Sequence, residues 1–169
     1  MDILKTATDW AKAEVFSSTF FILFGLLFVT ASIGFWQLGK TDLAKAFIVP
    51  SLIAGAFLLS AGLGLFITNK SRVTEFTTAY NADAPTFVQS EINRADKVLN
   101  EYKTIAFKIF PMIVIVAALL LIFINTPTWR AISITTIATM VIIFFVDSNA
   151  NERHKNYREQ LVLEQKANE

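Results

Sequence analysis

Four stretches of this chain are long and apolar enough to dictate what it can fold into. They run over 15–38, 43–68, 105–124 and 128–146, each close to the roughly 20 residues that a helix needs to cross a hydrocarbon core. Nothing in a bilayer satisfies an open backbone N–H or C=O, so apolar runs of this length close their own hydrogen bonds as helices. The fold class expected is therefore all-α and integral to a membrane, with four transmembrane helices. The second and third extend into a cytoplasmic helical hairpin stalk.

Composition agrees. The 169 residues are 54% hydrophobic with a mean hydropathy of +0.50, which leaves no length for a sizeable soluble domain, so 1–169 reads as one membrane domain. Fifteen basic and 14 acidic residues give a net charge of +1, no footprint for nucleic acid. Cysteine is absent, which excludes disulfides, thiolate metal sites and thiol redox chemistry. Asp2, Lys5, Asp9, Lys12 and Glu14 precede the first run and no small-residue cleavage pattern follows it, so the first span is expected to be retained.

Orientation follows from lysine and arginine. The short linkers 39–42 and 125–128 and their flanks carry only Lys40, Lys45 and Arg130. The opposite side carries Lys5, Lys12, Lys70, Arg72, Lys103, Lys108, Arg153, Lys155 and Arg158. The positive-inside rule then places both termini and the central segment in the cytoplasm, and the expected location is a bacterial inner (plasma) membrane. Trp36 and Trp129 would sit in the outer interface, Trp10 and Tyr102 near the inner one.

The segment 69–104 reads as a cytoplasmic helical hairpin. Val73, Phe76 and Tyr80 recur at helical spacing, then Asn81, Asp83 and Pro85 supply a turn. Thr86 with Gln89 forms a capping box for the next helix, or Asp83 caps it instead. From there Val88, Ile92, Ala95, Leu99, Tyr102, Ala106 and Ile109 step by three and four into the third span. The stalk interface expected is Val73, Phe76, Tyr80, Ile92, Leu99 and Tyr102. Glu91 with Arg94, and Lys97 with Glu101, read as ion pairs on a solvated face.

Both tails read as helical. Ile3, Leu4, Ala7, Trp10 and Ala11 line one side of 1–14, the pattern of an amphipathic helix lying in the membrane interface and meeting the first span at an angle. Residues 147–169 carry a thin stripe of Ala150, His154, Tyr157 and Leu161, which calls for a packing partner, the stalk of this chain or of a neighbouring copy.

Small residues recur every seven positions: Ser18, Gly25, Ser32 and Gly39 in the first span, Gly55 and Gly62 in the second. Ser18, Gly25, Ser32, Gly55 and Gly62 are the expected helix-packing seam, within a hairpin of the first two spans or between subunits. Pro50 and Pro111 each remove a backbone donor inside a span and are candidate hinges.

Chemistry is scarce. No ionisable residue lies near the middle of a span; Lys45, Lys108, Arg130 and Asp147 sit at the ends. Small multidrug exporters depend on an intramembrane carboxylate, and this chain has none. The only histidine, His154, reads as solvent-facing, and no phosphate loop, nucleophile elbow or metal-ligand spacing occurs. No enzyme activity, cofactor or metal is expected. Thr128, Ser133, Thr135, Thr136 and Thr139 crowd the outer half of the fourth span, and Thr136, Ile143 and Asp147 fall nearly in line. Thr136, Thr139 and Asp147 are thus candidate pore-lining residues, unless the hydroxyls bond back to their own helix.

Two functions remain. One is a non-catalytic oligomeric membrane protein, a scaffold or accessory subunit whose cytoplasmic helices mediate assembly or bind a partner. The alternative is a homo-oligomeric ion channel or pore lined by the fourth helix. The partners implied are the lipid bilayer and either further copies or another membrane protein, with no nucleic acid.

Overall fold

The computed structural model describes residues 3–167. Met1, Asp2, Asn168 and Glu169, at the ends of the segments 1–14 and 147–169, lie outside the described residues. The order of elements is α1 (Ile3–Leu38), α2 (Asp42–Ala46), α3 (Ile48–Ala82), α4 (Ala84–Thr104), a wide five-residue turn (Ile105–Ile109), α5 (Phe110–Phe123) and α6 (Pro127–Ala167). Four helical stretches are long and apolar enough to cross a membrane, with mean hydropathies of 2.0, 2.1, 2.8 and 1.9 over their most apolar windows. Each is far longer than a span requires. At about 1.5 Å per residue, α6 is roughly 60 Å long.

That excess length builds a second layer. At one end the four helices pack as a water-type bundle, here termed the polar end. Its core is Ile3, Ala7, Trp10 and Ala11 from α1, Phe76 from α3, Phe87, Val88 and Ile92 from α4, and Tyr157 and Leu161 from α6. The other portion, the apolar half, leaves Phe16, Leu26, Val49, Ile67, Phe107, Ile122 and Phe145 among many large side chains exposed. α5 buries only Ala117.

Two helices hold the apolar half most tightly. α1 and α3 run antiparallel in contact from Ser32 beside Ile48 to Trp10 beside Phe76, roughly 33 Å along the axis. Glycine permits the approach. A Cβ on Gly25 would stand 2.8 Å from the Leu59 backbone nitrogen, one on Gly55 2.9 Å from the Gly25 carbonyl, and one on Gly62 2.9 Å from the Ile22 backbone nitrogen. Ser32 Oγ donates across the seam to the Ile48 carbonyl at 2.7 Å, whereas Ser18 Oγ turns back to Val15 of its own helix at 2.6 Å.

The two prolines act differently from one another. Pro50 has no N–H for the Ala46 carbonyl, and the helix breaks there: α2 ends at Ala46 and Phe47 tightens onto Ala44 at 3.2 Å. Pro50 thereby lies in the first turn of α3, where a missing donor costs nothing. Pro111 would press its ring on the carbonyl four residues earlier. The chain widens instead, and Phe110 donates to the Ile105 carbonyl five residues back. Asp83 caps α4: its carboxylate accepts from the Thr86 N–H at 3.1 Å and the Thr86 hydroxyl at 2.7 Å. Those bonds hold the Asp83 carboxyl below the usual range.

Residues 3–14 differ from the interfacial helix that their amphipathic pattern predicts. They continue without a break into the first apolar stretch as part of α1, and Ile3, Ala7, Trp10 and Ala11 are covered by protein at the polar end. An apolar stripe has the same spacing whether lipid or a neighbouring helix covers it.

Candidate functional site

Where the bundle meets the apolar half, the side chains that carry charge and hydrogen-bonding capacity converge. The centre is Trp10, only 6% exposed. Its ring lies parallel to Tyr157, centroids 4.9 Å apart, with His154 edge-on at 5.1 Å and the Arg94 guanidinium over it at 4.3 Å. The indole N–H has no acceptor among the described residues, so burial, stacking and the cation–π contact fix the ring.

Around it the ionisable groups hold one another. Arg94 grips Glu91 through both carboxylate oxygens at 2.9 and 2.5 Å, and the Tyr157 hydroxyl donates to Glu91 at 2.9 Å. Glu91 is buried, and the solvated face expected for the Glu91–Arg94 pair is instead packed under α6. Lys97 and Glu101, 3.9 Å apart, do stand in solvent. Burial, with the Glu91 charge adjacent, pushes the Tyr157 hydroxyl up. On the other side of Trp10, Arg153 binds Glu14 at 3.0 Å and the Ser17 hydroxyl at 2.6 Å. His154 is 7% exposed, not solvent-facing. Its Nδ1 lies 2.8 Å from the Ala150 carbonyl, an atom that only accepts, so Nδ1 carries the proton. Burial lowers the imidazole from its ordinary value, against the opposing pull of the Ala150 carbonyl and Glu14.

A cavity of about 260 Å³ opens beside this cluster, lined by Glu14, Ser17, Asn69, Tyr102, Asp147 and His154 among others. Asn69 is buried there and accepts from Arg72 at 2.7 Å. Sequence reasoning named Trp10, Tyr102, Asp147, His154, Tyr157 and the Glu91–Arg94 pair separately and did not bring them together, and it missed Ser17, Asn69 and the pairing of Glu14 with Arg153. Glu14 and Arg153 are 139 residues apart, and no local spacing announces them.

The expected pore-lining residues fall into two separate places. Thr136 and Thr139 line a groove of about 570 Å³ in the apolar half, between α6 and the start of α3. Asp147 lines the junction cavity. At the level of Ile143, between them along α6, Phe21, Leu58 and Ile143 pack together with Phe24, Phe28 and Met140 around them. Thr139 Oγ1 donates to the Thr135 carbonyl of its own helix at 2.8 Å.

The stalk residues also divide. Phe76 and Ile92 are buried in the polar core, with Val73 and Tyr80 packed at its edge. Leu99 lies half-exposed in a polar groove with Asp96, Lys103, Lys155, Arg158 and Glu159. The C-terminal stripe finds its partner within the chain, through Arg158 to Asp96 and Gln165 to Gln89. Comparisons with protein families, with characterised proteins and with solved structures find no match to this chain.

Proposed function

We propose that this chain is an integral protein of a plasma membrane, most simply a bacterial inner membrane. Four spans cross it and the polar end stands in the cytoplasm. The reading rests on the exposed apolar surface of the four helices, which water would not tolerate on this scale. Sidedness rests on charge: Lys5, Lys12, Lys70, Arg94, Lys97, Lys103, Arg153, Lys155 and Arg158 lie toward the polar end, against Lys40, Lys45 and Arg130 at the other.

Its role is that of a non-catalytic assembly subunit, built to join further copies of itself through the cytoplasmic bundle. The carrying observation is Leu99. Above it the α4 stripe is used up inside the chain at Val88, Ile92 and Ala95. At Leu99 the same stripe emerges half-exposed among charges of both signs, in a groove of about 320 Å³. A single half-buried leucine ringed by charges of both signs offers a small apolar anchor within a polar contact surface. Glu91 meanwhile pairs with Arg94 and Tyr157, and Glu14 with Arg153, which gives these buried groups a structural task.

Light scattering of the detergent-solubilised protein tests this reading. The native chain should run as a multiple of its 18.9 kDa and Leu99→Asp as a smaller particle. An unchanged mass would count against it. The second reading, a homo-oligomeric channel, is favoured by Thr136, which borders an open groove. Any such path would run between copies, because Phe21, Leu58 and Ile143 close the interior of one chain. Current across a planar bilayer is its test.

A further inference from the structure

The groove between α6 and the start of α3 has the shape and charge of a seat for a single lipid. Its lining is mostly apolar, with Val49, Ile53 and Phe57 on α3 and Ile132 and Met140 on α6 beside the threonines of α6. Both helices run from the same end of the molecule. From Thr128 to Met140, α6 advances about 18 Å, close to half of the roughly 30 Å hydrocarbon core. The groove ends where Leu58 and Ile143 come together with Phe21, so its floor lies near mid-membrane. One leaflet's acyl chain fits that depth.

The mouth is of opposite character. Lys45 stands there exposed and makes no ion pair among the described residues. Thr128, on the same rim, belongs to the first turn of α6, a helix of 41 residues whose N-terminal amides carry partial positive charge. An anion-accepting rim above an apolar trough one leaflet deep matches an amphiphile with a phosphate head. A spanning helix from a second copy would run the full depth of the bilayer, whereas this groove stops at Leu58 and Ile143.

We infer that this groove holds a glycerophospholipid of the outer leaflet, its phosphate on Lys45 and the first turn of α6 and one acyl chain along Val49, Ile53, Phe57 and Ile132. The inference rests on the membrane-spanning reading above. It assigns the threonines of α6 a new place, since Thr135, Thr136 and Thr139 form one wall of the trough, with Thr139 satisfied by its own helix.

Native mass spectrometry of the detergent-solubilised full chain, titrated with phosphatidylglycerol, tests it. The native chain should retain one lipid per chain at the lowest additions. Lys45→Glu, a change at an exposed side chain, should weaken that first binding about tenfold, the loss of one charge-assisted contact. Lys40→Glu, on the same side but off the groove, should leave it unchanged. Ile53→Trp, at another exposed position, should fill the trough and exclude the lipid while Lys45 remains. Equal lipid retention by the native chain and both groove variants would overturn the inference, as would detergent alone in the groove or a lipid-free dimer abolished by Ile53→Trp. Failure of the membrane reading itself would show separately, as a chain released from membranes by alkaline carbonate without detergent.

Discussion

The indole of Trp10 lies flat on the phenol of Tyr157, ring centroids 4.9 Å apart and planes 9° from parallel, so the start of the first long helix is clamped to the tail of the last. Tyr157 in turn donates to Glu91, which ties in α4. Three of the four long helices therefore meet through one stacked pair. Trp10→Ala should destabilise the protein by about 3–5 kcal/mol, the usual cost of emptying a large aromatic site. Trp36→Ala should have little effect, since that ring is 71% exposed. Thermal unfolding in a fixed detergent, followed by circular dichroism, makes the comparison.

Glu14 and Arg153 offer a second check at the same level. Glu14 is buried and Arg153 partly exposed, with 3.0 Å between them. Removing one partner leaves the other charge short of its counterion, whereas removing both does not. In a double-mutant cycle with Glu14→Gln and Arg153→Gln, a coupling of about 0.5–3 kcal/mol is expected. A coupling near zero would mean that the pair is incidental.

The glycines of the seam should separate into two groups. Gly25→Val and Gly55→Val would thrust side chains against the backbone of the facing helix and force α1 and α3 apart. Gly34→Ala and Gly64→Ala meet nothing within 4 Å. They should be neutral or stabilising by up to about 1 kcal/mol, the helix-propensity gain of alanine over glycine. Melting temperatures of the four variants in one detergent decide the matter.

His154 gives the fold an acid-sensitive point. Burial keeps the imidazole neutral, with its proton affinity below the ordinary value of 6.5. Glu14 lies 3.9 Å away and pulls the value up, while Arg94 and Arg153 join burial in pulling it down. Below 6.5 the unfolded chain binds this proton more readily than the folded one does. The contribution is complete above 6.5 and is lost as pH falls through the lower folded value. His154→Gln should therefore flatten the loss of melting temperature on acidification from pH 7 to pH 5. An identical slope in both proteins would remove His154 from the account.

Much of this architecture is legible in the sequence because four long apolar runs leave a chain few folds other than long helices. The four apolar runs, the turn at Asp83 and the continuation of α3, α4 and α6 beyond the apolar runs all follow from local spacing. What spacing leaves open is which neighbour covers a stripe. Ile3, Ala7 and Trp10 read equally well as a lipid-facing edge or a bundle core, and Glu91 with Arg94 reads the same whether water or α6 lies above it. The junction cluster depends on the register of four helices against one another, set between α1 and α3 by close approaches such as Gly62 to Ile22, and is visible only once they pack.

The central claim is that four spans carry the polar end into the cytoplasm. The chain has no cysteine of its own, so single cysteines report location without background. Thr41→Cys and Lys97→Cys, both at exposed positions, would be treated with a membrane-impermeant maleimide on intact cells and again after permeabilisation. The account predicts that position 41 reacts from outside in intact cells and position 97 only once the membrane is opened. Labelling of position 97 in intact cells, or of both positions alike, would contradict it.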